Sequence, residues 1–65
     1  MLTPEQIKTI LNHMPTVKGN VEVFLTAFNA KLDEEEKIDF LLALIDKMEV
    51  DLQECKNVLE AAYPP

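Results

Sequence analysis

The chain has 65 residues and a formal net charge of −6, and all six of its basic residues are lysines. Non-specific binding to nucleic acids and to anionic membranes requires clustered Lys and Arg. The excess of acidic residues therefore predicts that the chain binds neither nucleic acid nor a membrane. A single cysteine excludes an intramolecular disulfide, and one histidine with one cysteine is too few for an internal zinc site. Because a core of this size is marginal in a monomer, association is the remaining way to gain stability.

The start of the chain lacks the basic and apolar segments of a signal peptide. The longest apolar run, Phe40 to Ile45, is far shorter than the ~20 residues that a membrane span needs. We therefore expect a cytoplasmic protein that forms a single small helical domain over residues 1–65. We expect neither a cofactor nor a bound metal.

The first predicted helix covers residues 4–13 and starts at a capping box formed by Thr3 and Gln6. Pro15 is expected to end it, because the residue before a proline is pushed out of the α region. His13 would then lie in the last turn, where the negative end of the helix dipole favours a positive charge. The apolar face of this helix consists of Ile7, Ile10, Leu11 and Met14.

The second predicted helix covers residues 20–31, after a connection that contains the only glycine of the chain, Gly19. Asn20 is its expected N-cap, although Thr16 could start it a turn earlier. Its apolar stripe should belong to the core, since the chain has little else from which to build one. That stripe consists of Val21, Phe24, Leu25, Phe28 and Leu32.

The third predicted helix covers residues 34–62, with Asp33 as its N-cap and three glutamates in its first turn. Apolar residues recur along it in steps of three and four, which is typical of a helix that lays one stripe against another helix. They are Ile38, Leu41, Ile45, Met48, Leu52, Cys55, Leu59 and Ala62. We therefore predict an all-α fold of three helices, in which a short αα-hairpin packs on a long C-terminal helix with a heptad seam.

This last helix is roughly 43 Å long at 1.5 Å per residue, too long for the preceding residues to wrap evenly. Either the two preceding helices line up end to end along it, or part of its seam is left for another chain. Beyond Asp46 its apolar pattern narrows to the seam, and mostly charged and polar residues surround it. We expect this half of the seam to contact another copy of the chain, most simply in a coiled-coil-like homodimer. The predicted self-interface consists of Met48, Leu52, Cys55, Leu59 and Ala62.

Two function classes remain, since we expect no enzyme: no nucleophile lies beside a base, and no catalytic residue is indicated. The first class is a protein–protein interaction module that self-associates through its C-terminal helix and acts as an adaptor, a regulator or an assembly subunit. The alternative is an acidic inhibitor or nucleic-acid mimic that occupies a basic groove of a partner protein. Its partner face would consist of Glu35, Asp39, Asp46 and Glu49.

Overall fold

In the computed structural model, which describes residues 2–63, the chain forms two α-helices, α1 (Pro4–Asn29) and α2 (Glu34–Ala62). Residues 30–33 connect them, and the two helices pack together as an αα-hairpin. The predicted all-α class is confirmed, but the three-helix arrangement is wrong. The helices predicted over residues 4–13 and 20–31 are parts of α1, so the hairpin is formed by α1 and α2 themselves.

α1 continues through the two residues that predicted a break in it, Pro15 and Gly19. Pro15 lacks an N–H group and cannot bond to the Leu11 carbonyl, a defect that costs about 3 kcal/mol inside a helix. Because Pro15 lies on the exposed outer surface, water can bond to the freed carbonyl. Gly19 has no positive φ, and outside the adjacent backbone of its own helix a Cβ there would meet no atom within 4 Å. Asn20, the expected N-cap, is instead buried in the middle of α1.

Both helices start at the predicted caps. Thr3 Oγ1 accepts a hydrogen bond from Gln6 N at 3.2 Å, and Thr3 N donates to Gln6 Oε1 at 2.8 Å. At the start of α2, Asp33 Oδ2 accepts from Glu36 N at 3.4 Å. Such caps satisfy backbone donors that would otherwise lack a partner, which is worth about 1 kcal/mol each. The bounds predicted for the third helix, residues 34–62, are confirmed for α2.

Each helix turns a row of apolar residues, spaced seven apart, toward the other helix. We call these rows the inner stripes: Ile10, Val17 and Phe24 in α1, and Leu41, Met48, Cys55 and Ala62 in α2. All seven residues are buried or half-buried. A second inward row lies three residues farther along and includes His13, Asn20, Ala27, Leu44, Asp51 and Val58. The contact between the helices is therefore a two-row seam of the coiled-coil kind.

The hairpin is a single layer of two helices. Its Cα atoms extend over 47 × 19 × 13 Å, with a radius of gyration of 15.0 Å, whereas a compact chain of this length has about 11 Å. Its surface of 5090 Å² exceeds the ~4,200 Å² of a compact monomer of this mass by about 900 Å². Among residues 2–63, no large side chain is fully buried. The layer therefore leaves much of its apolar surface in contact with solvent.

Candidate interaction surface

Each helix carries a second apolar row, four residues from its inner stripe and thus rotated by about 40° around the helix. We call these rows the open stripes: Ile7, Met14, Val21 and Phe28 in α1, and Ile38, Ile45, Leu52 and Leu59 in α2. All eight residues are exposed, with exposed fractions from 37% to 58%. The apolar arc of each helix thus extends beyond the rows that the neighbouring helix covers.

The two open stripes lie on the same side of the hairpin. On both helices the open stripe lies four residues after the inner stripe. Because the helices are antiparallel, this equal displacement brings both open stripes to the same edge of the helix–helix contact. An open groove of about 470 Å³ confirms this placement, since it joins Met14 of α1 to Leu52 and Leu59 of α2. Its remaining lining residues are Cys55, Lys56, Glu60 and Tyr63. We call the surface formed by both open stripes the open face.

A further row widens the open face on each helix and consists of Leu11, Lys18 and Leu25 in α1 and Leu42, Glu49 and Lys56 in α2. We call it the flanking row. Its three leucines are highly exposed, at 65%, 54% and 54% in chain order. Together with the open stripe, the flanking row restores steps of three and four along each helix, the spacing of a helix–helix seam. Each helix therefore presents a second seam that has no partner within the chain.

The opposite side of the hairpin is mostly polar. Its exposed or half-buried residues include Thr9, Thr16, Lys47 and Glu54, with Val23 and Phe40 as the apolar exceptions. Asn20 lies inside the helix–helix contact at 8% exposure, and its Nδ2 has no hydrogen-bond partner. The two sides of the hairpin therefore differ sharply, and the open face is the apolar one.

His13 makes a polar link between the helices. Its Nδ1 lies 2.7 Å from Asp51 Oδ1, and the two side chains are 31% and 14% exposed. The predicted position of His13 in a last helical turn is wrong, because α1 continues for another 16 residues to Asn29. Its partner is the Asp51 carboxylate of α2, which no local pattern in the sequence indicates.

The predicted self-interface is divided between the two kinds of stripe. Met48, Cys55 and Ala62 lie on the inner stripe, where they pack against α1, and Cys55 is only 2% exposed. Leu52 and Leu59 lie on the open stripe and are 43% and 44% exposed. Contact with a second copy through this helix stays a prediction. Within the predicted self-interface, Leu52 and Leu59 are exposed and could contact another chain. Its inner-stripe residues already have neighbours in their own chain.

The residues of the predicted acidic partner face are all exposed on α2: Glu35, Asp39, Asp46 and Glu49. Within residues 2–63, His13 is hydrogen-bonded to Asp51, and Lys56 forms an ion pair with Glu60 at 3.8 Å, so none of the four takes part in either contact. In the same part of the chain, no cluster of three or more His, Cys, Asp or Glu side chains could hold a metal ion. The acidic face is thus a solvated surface whose role stays a prediction.

The contribution of α1 to the open face was missed, although the sequence carries a signal for it. Apolar residues recur through α1 in the same steps of three and four as in α2: Ile7, Ile10, Met14, Val17, Val21, Phe24 and Phe28. This series passes Pro15 and Gly19 without interruption. Dividing this series between two short predicted helices concealed that α1 and α2 have the same apolar spacing.

Comparisons of the chain with family models, with curated proteins and with solved structures find no match. Neither α1 nor α2 contains a stretch that is long and apolar enough to cross a membrane. The open face, on which all eight open-stripe side chains are exposed, is therefore the feature from which a function is best argued.

Proposed function

We propose that the protein is a small acidic helical interaction module that self-associates through its open face and acts as an adaptor, a regulator or an assembly subunit. One observation carries this proposal: all eight open-stripe residues are exposed on one side of a single-layer hairpin. Monomeric proteins rarely expose contiguous apolar patches larger than a few hundred Å², and larger patches mark interaction sites.

A second copy is the partner that suits this surface best, because both helices repeat the same seven-residue apolar spacing. Two hairpins stacked through their open faces would form a four-helix bundle, in which each helix uses one seam within its chain and one between chains. The face measures 47 × 19 Å between Cα atoms, an area of about 900 Å², and a stable interface buries about 800 Å² per partner. The available area is therefore sufficient for a stable dimer.

Absolute mass in solution tests the proposal, measured by light scattering on a sizing column over a range of concentrations. The wild type should have the mass of two chains. Leu52→Glu should have the mass of one chain while staying helical, because an unpaired charge is costly to bury in an apolar interface. Val50→Glu is the matched control, since Val50 is 65% exposed on α2 but lies outside the open face; it should keep the two-chain mass.

The self-association would be refuted by a one-chain mass for the wild type at every concentration. Equal losses of mass in Leu52→Glu and Val50→Glu would also refute it, because the loss of self-association would then not depend on the open face. Circular dichroism of each variant separates the loss of association from the loss of helix.

The acidic inhibitor or nucleic-acid mimic is the second candidate, favoured by the exposure of Glu35, Asp39, Asp46 and Glu49 and by their lack of ion pairs within residues 2–63. Binding to a basic protein through these carboxylates should weaken steeply as ionic strength rises. Association through the open face should instead hold or tighten. Replacing Asp39 and Asp46 by Asn would weaken the first kind of binding and leave the self-associated mass unchanged.

A further inference from the structure

Two copies can stack their open faces about a two-fold axis in two ways. If the axis runs along the helices, both connections lie at the same end, and α1 of each copy stacks on α2 of the other. If the axis runs across the helices, the connections lie at opposite ends, and each helix stacks on its own counterpart. We infer that the copies associate with their connections at the same end, an inference that rests on the proposed self-association.

The contacts within the hairpin give the level of each residue along such a bundle. His13 faces Asp51 at 2.7 Å, and Lys37 Nζ donates to the Phe28 carbonyl oxygen at 2.9 Å. Facing residues therefore have numbers that add to 64 or 65. By this rule Lys18 of α1 lies level with residues 46–47 of α2. Glu49 is two to three residues farther along α2, which is about 4 Å along the helix axis at 1.5 Å per residue. Lys18 and Glu49 thus lie within one helical turn of the same level.

The charges of the flanking row distinguish the two arrangements, because Lys18 lies near the middle of α1 and Glu49 near the middle of α2. With the connections at the same end, Lys18 of each copy lies beside Glu49 of the other, which gives two opposite-charge pairs. With the connections at opposite ends, Lys18 meets Lys18 and Glu49 meets Glu49. Like charges placed together in an interface disfavour it strongly, so the first arrangement prevails.

The apolar residues of the flanking row do not distinguish the arrangements, since Leu25 meets a leucine in both. It meets Leu42 of the second copy when the connections share an end, and Leu11 when they do not. The apolar rows therefore supply the contact area, while Lys18 and Glu49 select the orientation.

The acidic residues at the connection oppose the inferred arrangement only weakly. Asp33 and the three glutamates that follow it would gather at one end of the bundle, but all four are exposed. At physiological salt their repulsion is screened beyond ~8 Å. Added salt screens this repulsion and the Lys18–Glu49 attraction alike, so the apolar contact decides the salt dependence, and the dimer should hold or tighten.

Charge reversal tests the pairing. Lys18→Glu and Glu49→Lys should each raise the dissociation constant of the dimer at least about tenfold, since each places like charges together. The double variant should return close to the wild-type value, because it again places opposite charges together across the interface. Lys8→Glu and Asp46→Lys are the matched controls, because they make the same charge changes at exposed positions on the outer sides of the helices. If the single variants dissociate no more than these controls, the pairing is wrong.

A distance measurement tests the orientation itself. A nitroxide would be attached to a Leu32→Cys variant in which Cys55 is replaced by Ala, since Leu32 lies in the connection, outside the open face, and is 51% exposed. Dipolar electron spin resonance on the dimer should give a separation below about 25 Å with the connections at one end, against about 40 Å, the length of α1, at opposite ends. A two-chain mass with the longer distance overturns the orientation and leaves self-association standing. A one-chain mass for the wild type overturns both the orientation and the self-association. The charge-reversal test keeps Cys55, so it does not depend on the variant used for labelling.

Discussion

The inner and open stripes contain similar residues at the same spacing, yet they differ in exposure. On α2, Leu41 of the inner stripe is 8% exposed and Leu52 of the open stripe is 43% exposed. The neighbouring helix lies between the inner stripe and the second inward row and covers both, whereas the open stripe is rotated by about 40° to the other side of the inner stripe and stays exposed. This difference shows that each helix has an apolar arc wider than one partner can bury. Helices of a four-helix bundle have such an arc, whereas a two-stranded coiled coil needs only a narrow stripe.

Substitutions on the inner stripe of α2 should lower the free energy of unfolding more than substitutions on its open stripe. Leu41→Ala should lower the free energy of unfolding by about 2–3 kcal/mol, because it opens a cavity in the contact between the helices. Leu52→Ala should lower it by only about 1 kcal/mol in the single chain, since Leu52 loses less buried area. Urea denaturation at low protein concentration measures both values. Equal losses at the two positions would contradict the division into inner and open stripes.

Pro15 provides a second test, because both stripes of α1 continue past it. Pro15→Ala should raise the free energy of unfolding by about 1–3 kcal/mol, since it restores a helical hydrogen bond to the Leu11 carbonyl. Pro4→Ala is the control, because Pro4 is the first residue of α1, where a proline costs little. Thermal unfolding compares the two variants. A gain at Pro4 as large as that at Pro15 would show that the missing hydrogen bond at Pro15 does not destabilise α1.

The smallest expected effect concerns the polar link between the helices. A double-mutant cycle with His13→Ala and Asp51→Ala should give a coupling energy of about 0.5–1 kcal/mol, because the pair is partly exposed to solvent. None of the variants should change the mass in solution, since neither residue lies on the open face. Additive losses in stability would show that the 2.7 Å contact between His13 and Asp51 contributes nothing to the hairpin.

The parts of the fold that depend on local chemistry were predictable from the sequence. Thr3 and Asp33 mark the starts of the two helices because their side-chain oxygens bond to nearby backbone N–H groups, which requires no distant partner. The bounds of α2 follow in the same way from its cap and from an apolar period without Gly or Pro. The pairing of His13 with Asp51 was not predictable, because it depends on how the two helices align.

The continuity of α1 shows where a local rule fails. A proline disfavours a helix by a fixed local amount, but burial of Ile10, Val17 and Phe24 against α2 favours a continuous helix on both sides of Pro15. The proline also lies on the outer surface, where it interrupts no contact with α2. The unbroken three-four spacing through Pro15 was the evidence for one helix, and it outweighs the proline.

The apolar series of α2 was recognised, but its geometry was not. A period of 3.5 residues shows that a helix has an apolar face, yet it does not give the direction of the partner. Alternate members of the series, such as Leu52 and Cys55, could have shared one neighbour. In the folded chain, Cys55 contacts α1 and Leu52 faces outward, because the pairing of the hairpin sets the direction of each row.

Association through the open face is tested by an isotope-filtered nuclear Overhauser experiment on a mixture of ¹³C-labelled and unlabelled copies, which detects only contacts between chains. The open face should account for these contacts, with methyl groups of Met14, Leu52 and Leu59 among the strongest. Contacts confined to the opposite side, for example at Val23, would rule out association through the open face, as would the absence of any contact between copies at high concentration.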